Sequence, residues 1–443
     1  MSTPLHLASC GTSEVRYIPR SLMIHPATSL SLVTASLLVV ACTDNEVAVD
    51  ASDADDELLA RAAAIHSAVM TIDSHDDIPF DFATAAVDPQ NALRQVTLDK
   101  MNEGGLDAAF FIVYVGQSER TPANYAKAKT DALTKFEAIH RMAEQMYPEQ
   151  IEIAYSADDA ERIHDSGKLV AAIGIENGYV LGQDLSLLTT YHDLGARYIT
   201  LAHNGHNDIA DSAQPRVRNG DEIAEHDGVS EFGAEVIAEM NRLGIMVDVS
   251  HISKEAALDA MRLSRAPVIA SHSSVHALAA HPRNLDDETL LALRENGGVM
   301  QTVAFDGYLK LQPPERRTAS DALWAEFGID GPRDLPDLTP RQRREFEERW
   351  NAMLERWPAA NILDFVAHID YAVDLIGIDH VGISSDFDGG GGISGWDDAS
   401  ETLNVTLELV RHGYSQAEIE KLWGTNLLRV WREVEAVAAA SVN

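Results

Sequence analysis

The residues best equipped for chemistry are His75, Asp77, Glu176, His203, His251, His272 and Asp386, each standing where a short β-branched run ends. One histidine in such a place is ordinarily structural. Four histidines and three carboxylates, spread over six different runs, point instead to a metal centre. His75 and Asp77 are two apart on an extended chain, so they face the same side and can reach one cation. His251 and His272 follow neighbouring runs and can share a second. Glu176 falls in order between the two pairs, and a carboxylate can bridge two ions with its two oxygens. Ions roughly 3.5–4 Å apart would hold a hydroxide between them and polarise a carbonyl, with the pKa of their bound water brought toward about 7. Imidazole suits zinc, so the expectation is two Zn2+ per chain bridged by Glu176. The two cysteines, Cys10 and Cys42, both lie near the N-terminus, which leaves no thiolate for this site.

Such a centre needs a scaffold that gathers strand ends. Eight candidate strands can be read: Val69–Ser74, Ala108–Val115, Leu169–Ile175, Tyr198–Ala202, Met246–Ser250, Val268–Ser271, Val299–Ala304 and His380–Ser385. Helical patterns lie between them, among them Phe232–Leu243, Lys254–Leu263, Glu288–Asn296 and Ile362–Ile376, and Gly244 offers a stop for the first of these. This alternation predicts a (β/α)8 TIM-like barrel, whose strands all point their C-terminal ends at one face. Residues 313–358 interrupt the rhythm between the seventh and eighth strands with Pro313-Pro314 and a charged helical stretch. The plain reading is a solvated helical insertion; the sharper one is a lid or an oligomer contact.

Composition bounds the partners. The chain of 443 residues carries 70 Asp+Glu against 34 Lys+Arg, a formal charge of −36. That field repels nucleic acid and anionic membrane surfaces. Near the N-terminus, Leu30–Ala41 is too short to span a bilayer and reads as the apolar core of an export signal. It runs into Val39-Val40-Ala41-Cys42, which resembles the bacterial lipobox, with Arg16 and Arg20 as the positive flank and Met23 as an alternative start. Residues 1–42 are therefore expected to be an export signal. A lipid on Cys42 would tether the chain to a membrane on the periplasmic or cell-envelope side. Residues 43–57 hold seven acids and no base, and are expected to form an acidic tether. Residues 58–443 would make a single metallohydrolase domain.

Six stretches resemble the membrane (renal-type) dipeptidase family, the zinc peptidase family M19 of the amidohydrolase-like barrels. They are Asp73-Ser74-His75-Asp76-Asp77-Ile78-Pro79, Gly174-Ile175-Glu176-Asn177-Gly178, Leu201-Ala202-His203-Asn204, Met246-Val247-Asp248-Val249-Ser250-His251, Ser271-His272-Ser273-Ser274 through His281-Pro282-Arg283-Asn284, and Ser385-Asp386-Phe387-Asp388-Gly389. The closing segment AEIEKLWGTNLLRVW is similar to the family's C-terminal region. The resemblance implies a dipeptidase with His75 and Asp77 on one zinc, His251 and His272 on the other, and Glu176 bridging. It further implies that His203 stabilises the developing oxyanion and that Arg283 grips the α-carboxylate of the substrate. Asp386 would hold the free α-ammonium and shuttle protons. Fixed charges of opposite sign at the two ends would measure a dipeptide's length. Tolerance of D-residues at the C-terminal position and a homodimer are also implied. The family's strand-seven tyrosine has two contenders here, Phe305 and Tyr308. Asp388 reads as a support behind the site and His206 as a loop residue.

Two other readings compete. An amidohydrolase acting on N-acyl amino acids, lactams or phosphoesters would keep the barrel and metals but ignore Arg283. A lipid-tethered binding protein with a degenerate site would be a different class altogether, and the complete ligand set argues against it.

Overall fold

In the computed structural model of the chain, residues 51–329 and 338–441 are described. The expected export signal, Cys42 and the first part of the acidic segment lie outside them. Residues 51–57 of that segment do not form an open tether. They begin a helix, Ala51–His66, in which Ala62 and Ile65 are buried.

Nine strands follow: β1 (Ile72–Asp77), β2 (Ala108–Tyr114), β3 (Ile151–Ile153), β4 (Leu169–Glu176), β5 (Ala196–Thr200), β6 (Met246–Asp248), β7 (Ile269–Ser273), β8 (Val299–Val303) and β9 (Val381–Ser384). Eight of them pair in parallel in the order β1-β2-β4-β5-β6-β7-β8-β9. The two edges meet where Asp77 N donates to Phe387 O at 3.0 Å, just beyond β9. The result is the (β/α)8 barrel that the alternating pattern predicts. The ninth strand, β3, pairs only with the first residues of β4. It is three residues long and carries Glu152 at its centre, too short to show a period.

Helices cover the outside and their ends follow local chemistry. Glu231–Leu243 starts on Ser230, whose side chain accepts from Gly233 N, and stops at Gly244 with φ 85°. The helices Lys254–Leu263 and Ile362–Ile376 have the limits that the sequence pattern gives.

The barrel interior is apolar over its lower half, where Ile72, Phe110, Ile112, Ala172, Met246, Ile269 and Val299 pack together. Most of these begin their strands. That end is plugged by the helix Asn426–Ser441 through Leu427, Val430, Trp431 and Val434, with the Trp431 and Phe110 ring centroids 5.7 Å apart. Polar side chains are thereby confined to the opposite mouth. Between β8 and β9, the helices Pro314–Phe327 and Pro340–Arg356 share a small core of their own, Leu323, Ile329 and Phe346, and a doubled Arg349–Glu326 ion pair. No helix among the described residues is long and apolar enough to cross a membrane.

Candidate active site

Every strand-end residue singled out by its type reaches the same mouth. The Nε2 atoms of four imidazoles converge on one carboxylate oxygen, Glu176 Oε1: His251 at 2.9 Å, His272 at 3.4 Å, His203 at 3.6 Å and His75 at 3.7 Å. All five side chains are buried. Ligand atoms of His75, Asp77 and Asp386 also lie within 4.8 Å of one another, as do those of His75, Glu176 and His272, and of Glu176, His203 and His251. His203 and Asp386 therefore stand within reach of an ion as well as of a substrate.

Two backbone features aim these groups. His251 and Asp386 both adopt left-handed φ, 68° and 57°, a conformation uncommon outside glycine that turns their side chains from the line of the strand. Gly389 leaves room at the mouth: a Cβ there would sit 2.1 Å from Asp386 Oδ1 and 2.5 Å from Asp77 Oδ2. A second glycine acts deeper. At Gly174 a Cβ would strike the Tyr198 ring at 2.3 Å, so the glycine of Gly-Ile-Glu is what admits the tyrosine.

Supports behind the ligands fix their tautomers. Tyr198 Oη donates to Ser74 O at 3.0 Å, so its 2.8 Å contact with His75 Nδ1 is donated by the imidazole. Ser271 Oγ donates to Asp248 Oδ2 at 2.6 Å, so His272 Nδ1, 2.8 Å away, donates to the serine. Asp248 is fully buried and accepts further bonds from the Thr200 hydroxyl and from the Ser250 and Ser271 amides. In both histidines the proton sits on Nδ1 and the Nε2 lone pair faces Glu176. His75 Nε2 is buried with no hydrogen-bond partner. His251 Nε2 and His272 Nε2 approach to 2.7 Å. Lone pairs turned on one another beside a carboxylate are the donor set of a divalent transition metal.

Electrostatics agree. Burial lowers the His75 imidazole to about 4 and His203 to about 3, and takes His251 and His272 down as well. Neutral imidazoles are the metal-binding form. Burial alone would raise Glu176, but any proton carried by the surrounding imidazoles is a positive charge or a donor beside it. This holds the carboxyl well below its ordinary range, so that Glu176 rather than a histidine stays ionised. Asp76 points the other way along the strand, to Ser385 Oγ at 3.2 Å, and burial beside Asp73 raises it well above the usual carboxylate range.

The mouth encloses a cavity of about 260 Å³ whose wall includes Asp77, Glu176, His203, His251 and Asp386. Tyr114, Asn204, Arg216, Phe305, Tyr308 and Gly389 complete it. Phe305 and Tyr308 both line the cavity, with ring centroids 4.2 Å apart. Arg283 is only 2% exposed. Its Nη2 donates to His272 O at 3.0 Å, its guanidinium lies 5.3 Å from the Tyr308 ring centre, and its Nε is buried without a hydrogen-bond partner. Asp388 pairs with Arg94 at 2.9 Å and accepts from the Gln95 and Val96 amides, which makes it a loop anchor behind the site. His206 is likewise a loop residue, accepting from Ser212 N at 2.9 Å. Sequence reasoning passed over Tyr114, Asn204, Tyr198 and Arg216. Tyr114 ends β2 and so had the same positional signal as the histidines, whereas Arg216 had none.

The barrel and its histidine–carboxylate centre define the class, a barrel metallohydrolase. Comparison with known proteins narrows it. The membrane dipeptidases (peptidase family M19) match across residues 59–443. Dipeptidase tcpJ of Claviceps purpurea is 34% identical over 350 residues, 78% of this chain and 70% of the relative. The crystal structure of the probable dipeptidase PvdM from Pseudomonas aeruginosa is 35% identical with a TM-score of 0.76, over 86% of this chain and 100% of that one. A metallo peptidase from Rhodobacter sphaeroides, liganded with a phosphinate mimic of L-Ala-D-Ala, shares the fold at 22% identity and a TM-score of 0.63, over 83% and 99% of the two chains. The chain belongs to the membrane dipeptidase family, M19, and is a hydrolase of peptide bonds.

Proposed function

We propose that the protein is a binuclear zinc dipeptidase that hydrolyses free dipeptides. The observation that carries this reading is the convergence of four imidazole Nε2 atoms on Glu176 Oε1, with Asp77 and Asp386 beside them. His75 and Asp77 would hold one ion and His251 and His272 the other, with Glu176 shared. When bound, the ions supply Lewis acidity and a nucleophile at neutral pH.

The remaining groups position the substrate. Asp386, on the wall of the cavity, receives the α-ammonium, takes the proton that the attacking water gives up and passes it to the leaving amine. Its approach to Asp77 beside Gly389 sets that carboxylate next to the reacting centre. His203 stays neutral and can offer an N–H to the oxygen on which charge develops. The unpartnered Nε of Arg283 is a donor kept for the α-carboxylate. The mouth leaves room on the C-terminal side for a residue of either configuration, which favours tolerance of D-residues there. Export and lipid attachment at Cys42 rest on the N-terminal sequence alone, and Cys42→Ala with lipid labelling tests them.

The deciding experiment is metal analysis followed by a screen of free and end-blocked L,L- and L,D-dipeptides with zinc-loaded protein. Two metals per chain and turnover restricted to peptides with both ends free are expected. Fewer than two metals and no turnover after metal supplementation would overturn the proposal. Equal cleavage of substrates lacking a free α-carboxylate would favour the broader amidohydrolase reading.

A further inference from the structure

The cavity presents an arginine that no step above uses. Arg216 lies on the long loop after β5 and forms part of the wall with His203, Asn204 and Tyr308. It is partly buried and has no ion-pair partner among the described residues. Its charge reaches the centre, since it joins burial and Arg283 in lowering the His203 imidazole. Its backbone is fixed. Asp221 Oδ2 accepts from Arg216 N at 2.7 Å and from His206 N at 2.9 Å, while Asn219 N donates back to Arg216 O at 2.8 Å. His206 in turn is held at Nδ1 by Ser212 N and at Nε2 by Glu222 O. A guanidinium held on a braced loop and left unpaired in a substrate cavity is a preformed receptor for a carboxylate.

Barrel order says which end of the substrate it meets. Arg216 folds back to the end of β5, where its Cγ lies 3.4 Å from the position a Cβ on Gly205 would take. Round the sheet β5 is fourth and β9 eighth, so Arg216 and Asp386 stand on opposite sides of the mouth. Asp386 takes the α-ammonium in the reading above, which puts Arg216 on the side of the C-terminal residue. The same reading assigns the α-carboxylate to Arg283, whose buried Nε has no hydrogen-bond partner. We infer that Arg216 is a specificity residue that receives an acidic side chain, so that dipeptides ending in Asp or Glu are the preferred substrate class. This rests on the dipeptidase reading.

The test compares kcat/KM for Ala-Asp and its neutral isostere Ala-Asn, with Asp-Ala as the reversed control, on zinc-loaded full-length protein. Wild type is expected to favour Ala-Asp over Ala-Asn by about tenfold or more, since a paired buried charge discriminates strongly against a neutral analogue. Arg216→Ala should collapse that ratio toward one, Arg216→Lys should keep part of it, and Arg216→Glu should turn the preference toward Ala-Lys. A wild-type ratio near one, or a ratio unchanged in Arg216→Ala, overturns the assignment, and a preference for Asp-Ala over Ala-Asp overturns its placement. Failure to cleave any of these dipeptides overturns the dipeptidase reading itself and this inference with it, whereas cleavage without the acidic preference overturns only the latter.

Discussion

Tyr198 Oη accepts from Nδ1 of His75 at 2.8 Å while donating to the carbonyl of the preceding residue, Ser74, at 3.0 Å. One phenol thus fixes both the ring and the strand that carries it. Tyr198→Phe should weaken metal binding by about tenfold, the low end of what outer supports contribute. Competition with a chromophoric chelator reads this directly. An unchanged affinity would show that the contact is packing alone.

The other half of the centre is braced by an anion. Asp248 polarises Ser271, which accepts from His272. Ser271→Ala removes the relay and leaves the amide bonds to Asp248 in place, so the fold should survive. On the binuclear reading, the metal at His272 should then be lost at chelator concentrations that wild type resists, with affinity down by about 10- to 100-fold. Asp248→Asn should do the same while also costing stability, because a fully buried carboxylate with several donors is being replaced.

Glu176→Gln removes the charge on which four imidazoles converge. Dipeptide turnover should fall by at least about 100-fold, as expected when reacting groups are displaced and metal charge is uncompensated. Metal content should fall with it. A variant that still hydrolysed dipeptides at near-normal rates would remove Glu176 from the centre.

Arg283→Ala should lower kcat/KM for free dipeptides by about 100-fold, the scale of a charge-assisted pair lost in a buried site. Initial-rate kinetics measure it. If dipeptides are cleaved as before, the α-carboxylate is held elsewhere.

His368 sets a pH dependence away from the metal. Its ring accepts from Val275 N and donates to Leu309 O, both at 3.0 Å, and burial lowers it to about 4. The unfolded ring titrates near about 6.5, so the unfolded chain binds the proton first. Stability is complete above that value and is lost as pH falls from about 6.5 to about 4, by on the order of 3 kcal/mol. Thermal unfolding of wild type should therefore steepen over this window, and His368→Gln should flatten the slope while lowering stability at pH 7. Equal slopes would rule His368 out.

Much of this site was legible because polar residues that close β-branched runs break the local pattern. His75, Glu176, His203, His251, His272 and Asp386 each do so, and the barrel then brings them together. Tyr198 was invisible for the converse reason: an aromatic within a strand looks like core, and only the space left by Gly174 reveals that its hydroxyl reaches a ligand. Arg216 depends on where a long loop folds back, which no period encodes. The brief strand β3 and the helical end of the acidic segment were lost for want of length and of side-chain pattern.

The seam between Asp77 and Phe387 has a consequence for biogenesis. One candidate ligand pair comes from the first strand and Asp386 from the last, so neither half-finished barrel contains a working centre. The helix that corks the far end lies later still, at Asn426–Ser441. Nascent chain emerging from the ribosome is therefore catalytically silent until nearly its whole length is available, and pairings this distant in sequence form slowly. The complete set of candidate ligands is therefore assembled only when the barrel closes.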